Sequence, residues 1–257
     1  MPGNPRAYDA DAQVYIANVE AADGRPLERE VCVAINDFVV GCKVDENWSS
    51  LRAAVILLGA RSLRGALVPL VGPPPVNYSF VTGDYNRTTG LLGGLSKRID
   101  TRLAHRSLPQ NNMHYSVWIH TRSPSIPTVY MGNGLSTTET GASNFGQETL
   151  TAMFVRSQNG TNITQLNTGL GVGFFGCSRS LAASYRVRVN GLNRVNNLAS
   201  QVPYNDNFYV YASSVGGNNA SSPRLSFYSA GLDVDLIKLD GRLTQMVRSI
   251  SQWAVAR

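Results

Sequence analysis

The chain has 257 residues, enough for one large domain or for a small module joined to a larger one. Its charged share of 16% lies well below the roughly 25% of an average soluble domain, and uncharged polar residues fill the difference. The net charge of +6 comes from 23 Lys and Arg against 17 Asp and Glu, but the basic residues are mostly single arginines with no basic stripe or known motif, which argues against a nucleic-acid partner.

From Asp9 to about Leu70 the pattern is helical. A first short helix carries Val14, Ile16 and Val19. Val31, Ile35, Phe38, Val39 and Cys42 then recur at spacings of three and four, which puts them on one face of a helix from about Glu28 to Lys43. Trp48, Leu51, Val55 and Leu58 repeat that spacing, with Asn47 as N-cap and Gly59 as stop, and predict another helix. Helices of this length need an apolar neighbour to cover their stripes. Pro73, Pro74 and Pro75 close the helical part, so residues 1–72 are expected to form a docking or oligomerisation region and 73–257 a second unit.

Beyond the prolines the apolar period becomes two. Tyr78 and Phe80 alternate around Ser79, and Tyr115, Val117 and Ile119 alternate with Ser116, Trp118 and His120. Further short strands are expected around Thr151 to Arg156, Ser184 to Val189, Phe208 to Ala212 and Arg224 to Tyr228. Turn-rich stretches such as "NGTNITQLNTG" and "SSVGGNNASS" separate them, which is the pattern of an antiparallel sandwich and not of a parallel sheet. Leu236, Leu239, Leu243, Val247 and Ile250 restore helical spacing for a closing helix. No internal repeat or long heptad series is present, so no fibre shaft is encoded.

Three cysteines are an odd count that argues against a disulfide framework. Cys32 and Cys42 sit in one predicted helix about 15 Å apart, too far to bridge, and are read as buried apolar residues. The opening "MPGNPRAYDADAQ" lacks the apolar run of a signal peptide, and no stretch is long and apolar enough for a membrane span, so a chain made and kept soluble is expected. The Asn-x-Ser/Thr triplets at Asn86, Asn162 and Asn219 are read as chance in so polar a chain.

Four phrases in order carry a resemblance: "NRTTGLLGGLSKRIDT" (86 to 101), "HYSVWIHT" (114 to 121), "SYRVRVNGLN" (184 to 193) and "RLSFYSAGLDVDL" (224 to 236). Together they resemble the concanavalin-like, laminin-G-like jelly roll. With "FVVGCKVDENWSSLRAAVILLGARSLRGALVPLVG" (38 to 72) and "FVTGDYNRTTGLLG" (80 to 93), the whole chain resembles structural proteins of tailed bacteriophages. The resemblance implies a mainly β fold, an antiparallel jelly-roll β-sandwich preceded by short helices and closed by a C-terminal helix. It also implies a virion component from tail, fibre or capsid surface, assembled with other virion proteins, in several copies.

Chemistry-bearing residues are few. His114 and His120 share a predicted strand six residues apart, about 20 Å, and with His105 are read as solvent-facing strand histidines. The carboxylates of the β region, Asp84, Asp100, Glu139, Glu148, Asp206, Asp233, Asp235 and Asp240, fall mostly in predicted turns or the last helix, so a glycosidase pair is not expected, and neither is any cofactor. Asp233 and Asp235 are the candidates for a calcium ion at the sandwich edge, against the preferred reading that they begin the terminal helix. Tyr130, Tyr204, Tyr209 and Tyr211 are the candidates for a sugar-binding surface, with Tyr209 and Tyr211 assigned by alternation to one face and Phe208 and Val210 to the other. The expected function is therefore binding: a tail- or fibre-associated homo-oligomer, a trimer, that engages a host-surface glycan or assembles the particle. A capsid cement protein and a glycan-degrading enzyme on the same fold are the alternatives.

Overall fold

The computed structural model describes residues 8–124, 126–134, 139–161, 163–164, 172–214 and 221–254. Its elements are α1 (Ala10–Asp23), α2 (Arg29–Val44), β1 (Leu51–Ile56), α3 (Leu63–Ala66), β2 (Val76–Tyr78), β3 (Tyr85–Asn86), β4 (Gly90–Gly94), β5 (Arg98–Ala104), β6 (Met113–Thr121) and β7 (Thr128–Gly132). There follow β8 (Asn144–Gln147), β9 (Met153–Arg156), β10 (Ile163–Thr164), β11 (Gly173–Arg179), β12 (Tyr185–Val189), β13 (Leu192–Asn196), β14 (Asn207–Val210), β15 (Ser221–Gly231) and α4 (Leu236–Trp253). The first sheet runs β13-β12-β11-β6-β15-β4-β3, with β1 also paired to β15; the second runs β10-β9-β8-β7-β14-β5-β2. The expected mainly β, antiparallel sandwich with flanking helices is the fold observed.

Alternation explains the layers. Tyr115, Val117, Phe145, Phe175, Phe208 and Tyr228 point between the sheets and form the inner core. The Phe145 ring stacks on Phe175 with centroids 4.2 Å apart and on Tyr115 at 4.8 Å, so the two sheets meet through aromatic contacts. A second core lies on the opposite side of the first sheet. There Ala54, Ile56, Phe174 and Phe227 receive Tyr15, Ile16 and Val19 of α1, Ile35, Phe38 and Val39 of α2, and Leu239, Leu243 and Ile250 of α4. The first sheet is thus sandwiched between helices and the second sheet.

The stripe on α2 and the closing helix match the sequence expectation, and Asp235 caps α4 by accepting from the Ile237 and Lys238 N–H groups. In α1 the buried stripe is Ala12, Tyr15, Ile16 and Val19, while Val14 is exposed. The helix expected from Trp48 to Leu58 is instead a single 3-10 turn, Trp48–Ser50, followed by β1. Leu51 and Ala53 to Leu58 are all buried, because β1 has a core on each face. A strand buried on both sides reads as an uninterrupted apolar run, which periodicity does not separate from a buried helix. That strand pairs with β15, Ile56 opposite Phe227, and so joins the first 72 residues to the sandwich.

The histidines are also corrected. His105 is fully buried in a 3-10 turn against the Phe208 ring and Ser143, His114 is fully buried at the start of β6 under the segment that leads into α4, and His120 is half-buried. His114 Nδ1 lies 2.5 Å from the Leu232 carbonyl oxygen, which only accepts, so the proton sits on Nδ1 and Nε2 accepts from the Ser229 hydroxyl at 3.0 Å. Burial pushes its pKa down to about 4, and that of His105, whose Nε2 lies 3.3 Å from Ser143 Oγ, down to about 3. Cys32 and Cys42 are free and buried, as expected, Cys177 is free and buried too, and burial raises their pKa values to about 11, 12 and 12.

One end of the sandwich is organised by a fully buried cation. Arg179, at the end of β11, donates to the carbonyl oxygens of Ser157, Leu181, Ala182, Ser184 and Leu198 at 2.7 to 3.3 Å. Its guanidinium also lies 5.0 Å from the centre of the Tyr185 ring. Five backbone acceptors from three segments converge on one positive charge, an arrangement in which a side chain gathers loops as a bound metal ion would.

Candidate functional site: the outer face of the second sheet

With helices over the first sheet, the outward face of the second sheet is where strand-borne side chains meet solvent. Asp100, Tyr209, Gly132, Asn144 and Arg156 are successive cross-strand partners on β5, β14, β7, β8 and β9, so they form one row on one face. Their chain neighbours Ile99, Phe208, Met131, Phe145 and Val155 belong to the inner core, which fixes the row as outward-pointing.

Half of this row is roofed. Asn144 and Arg156 are buried beneath loops, and the Tyr204 hydroxyl donates to Glu139 Oε1 at 3.1 Å. The carboxylate of Glu139 offsets in part the desolvation that lowers the Arg156 pKa. The loops close because residue 141 is glycine: with φ of +70° and a Cβ position only 1.7 Å from the Val202 carbonyl oxygen, no other residue fits.

The other half is open. Tyr78, Arg98, Asp100, Asp206 and Asn207 are partly exposed and Arg102 is exposed. The Asn207 side-chain amide donates to both oxygens of Asp100, at 3.0 and 3.2 Å. The Tyr209 hydroxyl donates to Asp206 at 3.1 Å, and burial, with the carboxylates of Asp206 and Asp100 nearby, raises its pKa and keeps it protonated. The guanidinium of Arg98 stacks on Tyr78, 4.1 Å from the ring centre.

A bulge shapes this half. Between the pairs Asp100 with Tyr209 and Ala104 with Asn207, β5 has three residues where β14 has one. Arg102 takes up the excess with φ of +57°, a strained conformation for a residue with a Cβ. Side chains satisfy the freed backbone: Asp100 accepts from the Arg102 N–H at 2.7 Å, and Thr101 donates to the Phe208 carbonyl at 2.8 Å and accepts from the Leu103 N–H at 3.2 Å. The result is a carboxylate and an amide side by side, flanked by aromatic rings and two arginines, able to bind adjacent hydroxyl groups.

Of the four candidate tyrosines, Tyr209 and Tyr204 fall on this face, Tyr209 buried at its floor and Tyr204 in the roof. Tyr130 is buried in the inner core with its hydroxyl on Gln147 Oε1 at 2.7 Å. Tyr211 is also in that core, not on the face of Tyr209, because its φ of +69° breaks the alternation after Val210. Asp233 and Asp235 do not converge on a metal position: Asp233 pairs with Arg186 at 2.6 Å and Asp235 caps α4. Among the described residues no group of His, Cys, Asp and Glu is placed to hold a metal ion. Sequence reasoning missed Arg98, Asp100, Arg102 and Asn207 as a set, although "RIDTRLA" alternates perfectly and marks one wet face; the bulge and the partner strand were invisible.

Neither a protein-family model nor a curated protein sequence matches the chain. Among solved structures it is similar to a sialidase of Trypanosoma rangeli, at 11% identity over 83% of this chain and 39% of that one, with a TM-score of 0.50. The same enzyme in complex with sialic acid matches at 12% identity over 77% of this chain and 33% of that one, again with a TM-score of 0.50. Domains LG4-5 of the mouse laminin alpha1 chain match at 14% identity over 47% of this chain and 35% of theirs, with a TM-score of 0.35. The chain therefore spans between a third and two fifths of the sialidase chains it resembles, and what it shares with them is a β-sandwich fold.

Proposed function

We propose that this chain is a non-catalytic glycan-binding module, carried as a structural component of a tailed-phage virion at the tail or fibre. The observation that carries the binding reading is the open half of the second sheet, where Asp100 and Asn207 lie within 3.0 Å beside Tyr78 and Tyr209. Vicinal sugar hydroxyls donate to the carboxylate and to the amide oxygen of Asn207, and the partly exposed Tyr78 borders them. The virion placement is supported by the sequence resemblance to phage structural proteins. Screening the full chain on a glycan array tests the site. Asp100→Asn keeps an acceptor for the Arg102 N–H, so the fold should hold while glycan binding falls at least about tenfold; unchanged binding by this variant sinks the assignment.

One observation favours a hydrolytic second reading. Asp100 and Asp206 both hydrogen-bond Asn207, through its amide and its N–H, and so flank one short segment of the face. Release of reducing ends by the wild-type chain, lost in both Asp100→Asn and Asp206→Asn, would replace the lectin reading with this one.

The helical layer is proposed as the contact to sister subunits in a homotrimer. Val33, Val40 and Val44 of α2 are 37%, 40% and 71% exposed on one stripe, and a groove of about 330 Å³ between α2 and α4 holds Val33, Asp37 and Trp253. Placing Glu at both Val33 and Val40 should convert the oligomer to monomer in light scattering without loss of helicity. A mass equal to that of the wild type would remove α2 from the interface.

A further inference from the structure

We infer that the open half of the second sheet selects glycans that carry a carboxylate, read by Arg98 and Arg102. The inference rests on the glycan-binding reading and names its ligand class. Several cationic side chains of this chain are held by carboxylates. Lys43 pairs with Asp9 and Asp11, Lys97 with Asp84, Arg87 with Glu28, Arg186 with Asp233, Arg188 with Asp240 and Arg242 with Asp45. Arg98 and Arg102, like Arg25, Arg29, Arg64, Arg194 and Arg248, have no carboxylate partner among the described residues, but they differ in flanking Asp100 on β5, where Arg98 is held by a ring contact and Arg102 is exposed at the bulge. Arg98 is fixed by its stacking on Tyr78, and its Nε is buried with no hydrogen-bond partner among the described residues. Arg102 is exposed within the bulge, in the left-handed conformation, with its N–H tied to Asp100.

This arrangement spends backbone strain and an unpaired guanidinium nitrogen on the two residues that bracket the Asp100 and Asn207 pair. A strained backbone maintained at an exposed position points to a task for its side chain. A guanidinium presents paired donors in the geometry of a carboxylate, whereas a neutral sugar offers nothing that needs a full positive charge. Asp100 disfavours an acid placed directly on it, so the hydroxyls sit at Asp100 and Asn207 and the ligand carboxylate sits toward an arginine. The same division of charge excludes a nonspecific polyanion, which would have to pass over Asp100 and Asp206.

The test uses the full chain, an oligouronate and the same oligomer with its carboxylates reduced to alcohols. Titration calorimetry should give at least tenfold tighter binding to the oligouronate, with a preference that shrinks as salt is raised. Arg98→Gln and Arg102→Asn, the latter chosen because Asn tolerates a left-handed backbone, should each cut oligouronate binding about tenfold and the reduced oligomer's binding by much less, so that the preference between the two collapses; Arg98→Lys should restore part of the loss. Equal affinity for the two oligomers, or a preference that survives both arginine variants, overturns the inference while leaving the glycan reading intact. Binding of neither oligomer, together with an empty glycan array, overturns both.

Discussion

Arg179→Met is expected to lower the free energy of unfolding by about 4 kcal/mol, because it leaves buried carbonyl oxygens without a donor at roughly 1 kcal/mol or more apiece. The five acceptors belong to Ser157, to the 181–184 turn and to Leu198, so the loss falls on the end of the sandwich where β9, β11 and β13 finish. A domain of this kind has about 5 to 15 kcal/mol in total, so the variant should be close to its limit at physiological temperature. Arg179→Lys keeps the charge but offers three donors from one nitrogen, and should recover less than half of the loss. Urea denaturation measures both. A shift below about 1 kcal/mol for the Met variant would mean that water enters and replaces the guanidinium.

The second large effect is with pH. His105 and His114 stay neutral in the folded protein down to about 3 and about 4, whereas in the unfolded chain they titrate near 6.5. The unfolded state therefore binds more protons as the pH drops below about 6.5. Stability is complete above that value and falls by about 1.4 kcal/mol per pH unit for each ring, about 2.7 kcal/mol per unit for the two together, until His114 begins to protonate in place. Urea midpoints at pH 7, 6 and 5 should trace this slope. His114→Gln, which keeps a donor toward the Leu232 carbonyl, should halve it, and so should His105→Asn. A flat profile between pH 7 and 5 would show that the rings are hydrated in the folded chain.

What the sequence disclosed and what it withheld divide along a physical line. The α2 stripe, the β6 alternation and the Asp235 cap are local patterns, and each is where it was expected. β1 was read as a helix because both its faces are buried, so the alternation that marks a strand is absent. The histidines were assigned to solvent because nothing local announces that the segment before α4 returns to His114, or that Phe208 and Ser143 close over His105. The candidate site suffered most, since Asp100 and Asn207 are 107 residues apart in the chain and meet only through the pairing of β5 with β14. Tyr211 was misplaced by a single left-handed φ, a conformation that the residue type disfavours and therefore does not advertise.

The placement of β15 has a consequence for how the protein is made. Strands β1 and β4, from residues 51–94, lie end to end along β15, whose residues 221–231 are synthesised well after them. At about 5 to 20 residues per second, the apolar faces of α1 and α2 are synthesised many seconds before the strand and the α4 helix that cover them. The nascent chain therefore carries an uncovered helical pair until β15 and α4 emerge, and the second core closes only then.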